Sequence, residues 1–83
     1  MFQSKIFLEQ LKKKINFFCG VPDSVLQEFI TCLSEDKSIK HYVCVNEGSA
    51  ISLGIGYYLA RKKIPLVYFQ NSGLGNSINP LIS

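Results

Sequence analysis

Apolar residues recur with two different periods along the chain, and the switches between them divide it into elements. In residues 2–14, Phe2, Ile6, Leu11 and Ile15 fall at roughly helical spacing with charges on the opposite side and Ser4 as a cap, which predicts an amphipathic helix. Residues 15–19 then read as a short apolar strand. It closes at Gly20-Val21-Pro22-Asp23-Ser24, where Pro22 has no amide for a ladder and Asp23 or Ser24 can cap a helix beginning there. Val25, Leu26, Phe29, Ile30 and Leu33 return to helical offsets, predicting a second helix from Ser24 to about Leu33. Polar residues 34–40 read as a surface loop, residues 41–45 as a strand, 48–61 as a third helix and 66–70 as a strand opened by Pro65.

The third helix is apolar nearly all round, through Ala50, Ile51, Leu53, Ile55, Tyr57 and Leu59, and it contains Gly54 and Gly56. A glycine inside a helix costs up to about 1 kcal/mol against alanine. Two of them predict close packing against another backbone and burial on more than one side. Strand and helix alternating in units of roughly 25 residues predict a three-layer α/β fold, a parallel sheet with flanking helices and right-handed crossovers. Ligands of such sheets sit beyond the carboxyl ends of the strands. The polar junctions at residues 20–24, 46–49 and 71–76 all fall on that one edge.

Composition adds a size argument. The chain has 83 residues, 47% of them hydrophobic, with six Phe and four Tyr. A domain this small has a thin core, so the surplus predicts a partner surface or a missing remainder. The apolar ending Pro80-Leu81-Ile82-Ser83 reads as the start of another helix and predicts a truncated chain, one partial domain over residues 1–83. The net charge of +3 comes mostly from Lys12-Lys13-Lys14 and Arg61-Lys62-Lys63, at predicted helix C-termini where cations complement the dipole, so it does not call for nucleic acid. Cys19, Cys32 and Cys44 fit neither a disulfide framework nor zinc spacing. As reduced thiols they point to the cytoplasm. Neither a signal peptide nor a membrane-length apolar run is present in the sequence.

Among the polar residues, Glu47 carries the strongest chemical reading. A lone carboxylate between an apolar strand and an apolar helix is expected to be partly desolvated, which raises its pKa, while the helix N-terminus lowers it. Such a group can exchange a proton with a ligand. The competing reading is that Glu47 only satisfies helix amides, and capping competes equally for Asn46, Asp23 and Ser24. Residues 71–76 carry Gly-x-Gly without the spacing of a dinucleotide site or a Walker loop, and a plain tight connection is the other reading. His41 reads as a surface residue, and Tyr57 and Tyr58 as packing.

Taken together, Phe18-Cys19-Gly20-Val21-Pro22-Asp23-Ser24, Asn46-Glu47-Gly48-Ser49-Ala50 and Gln70-Asn71-Ser72-Gly73-Leu74-Gly75-Asn76-Ser77-Ile78-Asn79-Pro80-Leu81 resemble the N-terminal, pyrimidine-binding region of phosphonopyruvate decarboxylases. These are thiamine diphosphate-dependent 2-oxo acid decarboxylases, and sulfopyruvate decarboxylases are the next most similar. The resemblance implies that Glu47 hydrogen-bonds the aminopyrimidine ring of thiamine diphosphate and exchanges a proton with it. It further implies that Asn71, Gly73, Leu74, Gly75 and Asn76 line the cofactor pocket, and that Asp23 and Ser24 lie on the substrate side. Such enzymes hold the diphosphate through Mg2+ on a second α/β domain that this sequence lacks, and their active sites form between subunits. The resemblance thus implies a partner subunit or domain, a homo-oligomer in the full-length form, and a chain that is inactive alone. The expected activity is carboxy-lyase action on phosphonopyruvate. The alternatives are a sulfopyruvate decarboxylase-like subunit working with a separate diphosphate-binding chain, and a non-catalytic remnant acting as an interaction module. A small nucleotide-binding α/β domain is disfavoured by the absent phosphate-loop spacing.

Overall fold

A four-stranded sheet in the order β2-β1-β3-β4 organises the chain, with its first three strands parallel. The computed structural model describes the backbone of residues 2–71 and 75–80 and the side chains of residues 3–69. β1 (Phe17–Gly20) is buried along its whole length, as its unbroken apolar run requires of a central parallel strand. β2 (Lys40–Val43) lies on one side of it and β3 (Leu66–Asn71) on the other.

Period-two alternation along β1 sends its side chains to two cores. On one face Phe18 meets Leu66 and Tyr68 of β3 beneath α1 (Phe2–Leu11) and α2 (Gln27–Glu35), which contribute Leu8, Phe29, Cys32 and Leu33. On the other face Phe17, Cys19 and Val67 pack against Ala50 of α3 (Glu47–Arg61). Helices on both faces of a mostly parallel sheet make the three-layer α/β fold expected from the alternation.

The differences from expectation are local. α1 ends at Leu11 and buries Leu8, while Ile6 stays 47% exposed, so its core-facing stripe has a different phase from the one read off Phe2 and Ile6. A single 3-10 turn, Ser24–Leu26, precedes α2. α3 buries only one side, through Ala50 and Gly54, while Leu53, Ile55 and Leu59 are exposed. A Cβ at Gly56 would meet nothing within 4 Å, so the close packing expected there is not made within the described residues.

The largest departure lies after β3. β4 (Gly75–Pro80) runs back antiparallel along β3, from Asn71↔Gly75 to Leu66↔Pro80, where a loop leading into another helix was expected. The outer edge of β3 offers a row of backbone donors and acceptors, and pairing satisfies them.

Candidate functional site

The parallel strands deliver their following turns to one edge, and two of these turns enclose a cleft. At the end of β1 the Gly20 carbonyl accepts from the Cys44 amide at 2.8 Å, and the Val21 amide donates to the Tyr68 carbonyl at 3.1 Å. Neighbouring strands on either side thus anchor the start of the Val21-Pro22-Asp23-Ser24 turn. Asp23 adopts an extended backbone, and its Oδ1 accepts from the Val25 amide at 2.9 Å, capping the 3-10 turn that Ser24 begins. Its Oδ2 is buried and has no hydrogen-bond partner among the described residues. A buried carboxylate oxygen without a donor is an unmet demand for one.

Across the cleft, Asn46 caps α3: its side-chain oxygen accepts from the Ser49 amide at 2.8 Å. The capping proposed for Asn46 and Asp23 is therefore present. Glu47, the first residue of α3, takes no part in the cap and makes no ion pair or hydrogen bond among the described residues. Its carboxylate is free beside the helix N-terminus. Glu47 is nevertheless exposed, not partly desolvated as its sequence neighbours suggested. It follows β2, an edge strand whose own Tyr42 and Val43 are exposed, so the strand gives the carboxylate no cover.

Val21, Pro22, Asp23, Ser24, Asn46 and Glu47 together line an open cleft of about 460 Å³. The structure thus brings Asp23, Ser24 and Glu47 into one site. Asn71 ends β3, and Gly75 and Asn76 open β4, placing them in a strand pair where a pocket-lining loop had been expected. Gly73 and Leu74 lie outside the described residues.

Two supports of the site were missed from sequence. The Cys19 thiol donates to the Ala50 carbonyl at 3.4 Å, tying β1 to the first turns of α3, and burial pushes its pKa up to about 11, which keeps the proton on sulfur. Tyr68, fully buried, meets half-buried His41 across the sheet, with His41 Nε2 2.8 Å from Tyr68 Oη. His41 is therefore not the surface residue expected. The strand alternation of Phe18 and Leu66 was a usable signal for the first core, but nothing local to His41 announced a partner 27 residues away.

The sequence signature of the thiamine pyrophosphate enzyme, N-terminal TPP binding domain, matches residues 1–83, and the chain belongs to this family. It is 41% identical over 69 residues to the sulfopyruvate decarboxylase subunit alpha of Methanocaldococcus jannaschii, covering 83% of this chain and 40% of that protein. The corresponding subunit of Methanococcus maripaludis is 38% identical over 71 residues, covering 86% of this chain and 42% of that one. A phosphonopyruvate decarboxylase of Streptomyces hygroscopicus is 36% identical over 64 residues, 77% of this chain and 16% of its own length. The chain thus spans about two fifths of the alpha subunits it matches. No solved structure matches it.

Proposed function

We infer that this chain is the pyrimidine-side part of a thiamine diphosphate-dependent 2-oxo acid decarboxylase, with Glu47 as its proton-exchanging group. The observation that carries the reading is the free Glu47 carboxylate facing Asp23 across one cleft, in a chain matched end to end by the family signature. The chemistry of the cleft fits one end of the cofactor. An aminopyrimidine presents N–H donors, and the lining offers the unpartnered Asp23 Oδ2, the Glu47 carboxylate and no cation. Such a lining suits a donor-bearing ring and repels a diphosphate. Among the described residues no cluster of three His, Cys, Asp or Glu side chains could hold a metal, so Mg2+ does not fit here.

Glu47, Asp23 and Ser24 are the described residues that would hold the ring and the adjoining substrate, with Asn71, Gly73, Leu74, Gly75 and Asn76 proposed to complete the pocket. When bound, thiamine diphosphate serves as the electron sink for the carbanion left as carbon dioxide departs. The Glu47 carboxylate would hold the aminopyrimidine and exchange a proton with it. Val21 and Pro22 line the β1 side of the cleft.

The sulfopyruvate decarboxylase alpha subunits support a chain that works with a separate partner subunit carrying the diphosphate site, and sulfopyruvate as the substrate. The Streptomyces relative supports phosphonopyruvate as the second reading, at lower identity over a shorter span. Both substrates are 2-oxo acids bearing a strong anion, which the acidic cleft cannot hold, so the cations for it belong to the partner. That Cys19, Cys32 and Cys44 form no disulfide favours a cytoplasmic setting.

Co-expression with a diphosphate-binding partner chain, followed by measurement of carbon dioxide release from each 2-oxo acid in the presence of thiamine diphosphate and Mg2+, tests the reading. Glu47→Gln should lower kcat by about 100- to 10,000-fold, with thermal stability of the chain unchanged because the carboxylate has no structural partner. Full activity in Glu47→Gln would refute the assigned role. Absence of release from both acids would refute the decarboxylase reading.

A further inference from the structure

We propose that His41 and Tyr68 form a pH-sensitive tie that holds the edge strand β2, and with it the segment leading to Glu47, against the rest of the sheet. β2 is short, pairs with β1 through only four residue positions, and among the described residues has no strand on its outer side. Lys40 and Val43 are exposed and Tyr42 is half-exposed with its ring 5.3 Å from that of Phe17 on one face, which leaves His41 as the half-buried β2 side chain on the face shared with Tyr68. Apart from the Tyr42 contact with Phe17, burial of β2 contributes little to holding it.

On the opposite face, Tyr68 supplies a hold from a strand that β2 does not touch. The register places Gly20 of β1 beside Tyr68 of β3 and beside Val43 of β2. A Cβ at Gly20 would fall 2.5 Å from the Tyr68 ring carbons, so the ring lies over the space that a side chain on β1 would fill. Crossing there, its hydroxyl reaches His41 Nε2 at 2.8 Å, and the two rings sit with centroids 5.8 Å apart. The absent side chain of Gly20 is what lets β3 grip β2 over the top of β1.

The tie has a polarity that protonation reverses. Burial raises the Tyr68 pKa, so its hydroxyl keeps its proton and needs an acceptor, and neutral His41 Nε2 is the acceptor present. Burial also lowers the His41 pKa below its ordinary 6.5. The unfolded chain therefore binds the proton at higher pH than the folded one, and the contribution is intact above 6.5 and lost as pH falls below it. Once Nε2 carries a proton it donates to the Tyr68 oxygen instead, and the buried tyrosine O–H proton is left without its acceptor beside a charged, half-buried imidazolium.

Among the described residues, the charged groups near His41 are Lys37 and the already paired Asp36, and neither offsets a charge on the ring. Phe18 of β1 and Leu33 of α2 are apolar, and Ser34 is neutral. In the turn before β2, Lys37 is cationic, and the Asp36 carboxylate is engaged by Lys12 at 2.7 Å and by Ser38. The proposal concerns the strand and stands independently of the cofactor reading, since its test needs neither cofactor nor activity.

His41 is the single histidine of the chain, so its ring resonances titrate without overlap. NMR titration of the 83-residue chain, combined with amide exchange, reads the tie directly. The Lys40 and Cys44 amides bond to the Asn16 and Gly20 carbonyls and report on β2, while the Val21 amide, bonded to the Tyr68 carbonyl, reports on the β1–β3 junction. The His41 midpoint should lie below 6.5, and Cys44 protection should fall about tenfold across it, more than that of Val21. Tyr68→Phe should give the same loss at pH 7.5, and His41→Asn should remove the pH dependence. A midpoint at or above 6.5, or Cys44 protection that is equal on both sides of the midpoint or unchanged in Tyr68→Phe, would overturn the proposal.

Discussion

Gly20 concentrates more of the architecture than any other single residue. Its carbonyl receives the Cys44 amide from β2, the next amide donates to Tyr68 of β3, and its missing side chain makes room for the Tyr68 ring. Gly20→Ala should therefore destabilise the chain by about 3 kcal/mol, the upper range of overpacking a tight interior, because the nearest obstacles include backbone as well as the ring. Denaturant unfolding measures the loss. Asn46 illustrates a smaller and more local contribution. Asn46→Ala removes the acceptor for the Ser49 amide and should cost about 1 kcal/mol, with Asn46→Asp close to the parent in the same unfolding experiment. The sequence had already singled out both positions, Gly20 as a turn and Asn46 as a cap. What it did not show was that Asn46, by taking the cap, leaves Glu47 free for chemistry.

Elements in this chain are joined by polar ties as much as by their cores. The turn after α1 meets the end of α2 where Lys12 Nζ lies 2.7 Å from Asp36, and Asp36 Oδ1 also accepts from the Ser38 amide and hydroxyl at 2.8 and 2.6 Å. The bond from Lys12, then those from Ser38, hold the Asp36 carboxyl down from its ordinary 3.8 to about 2. A depressed folded pKa contributes stability that is present above 3.8 and is lost as pH falls toward 2. Asp36→Asn should thus be less stable by about 1 kcal/mol at pH 7, a figure limited by solvent screening of a partly exposed pair. The difference should close by pH 2, which thermal melts at a series of pH values would show. The basic run 12–14 had been read as dipole compensation, and Lys12 instead works as a bridge between two elements, because α1 stops at Leu11 and leaves it free to turn.

At the scale of the whole molecule, the apolar surplus that the composition forecast is on display. Val45 is 89% exposed and Leu59 is 60% exposed, and Leu53 and Ile55 add to the uncovered side of α3. Leu59→Lys should leave folding stability within about 0.5 kcal/mol, since most of the side chain already faces solvent, and should raise solubility in concentration-dependent light scattering. A drop of several kcal/mol would show that Leu59 is structurally engaged. The order of strands and helices as far as β3, the turns at the ends of β1 and β2, and the caps at Asp23 and Asn46 were all legible in the chain alone. Those features depend on residues a few positions apart, whose periodicity and turn chemistry act before any distant contact forms. Folding in three dimensions settled the rest: the exposure of Glu47, the one-sided burial of α3, the antiparallel return of β4, and the reach of Tyr68 over Gly20 to His41. Each of these depends on which strands lie side by side and in what register, and that is a property of packing between segments far apart in the chain.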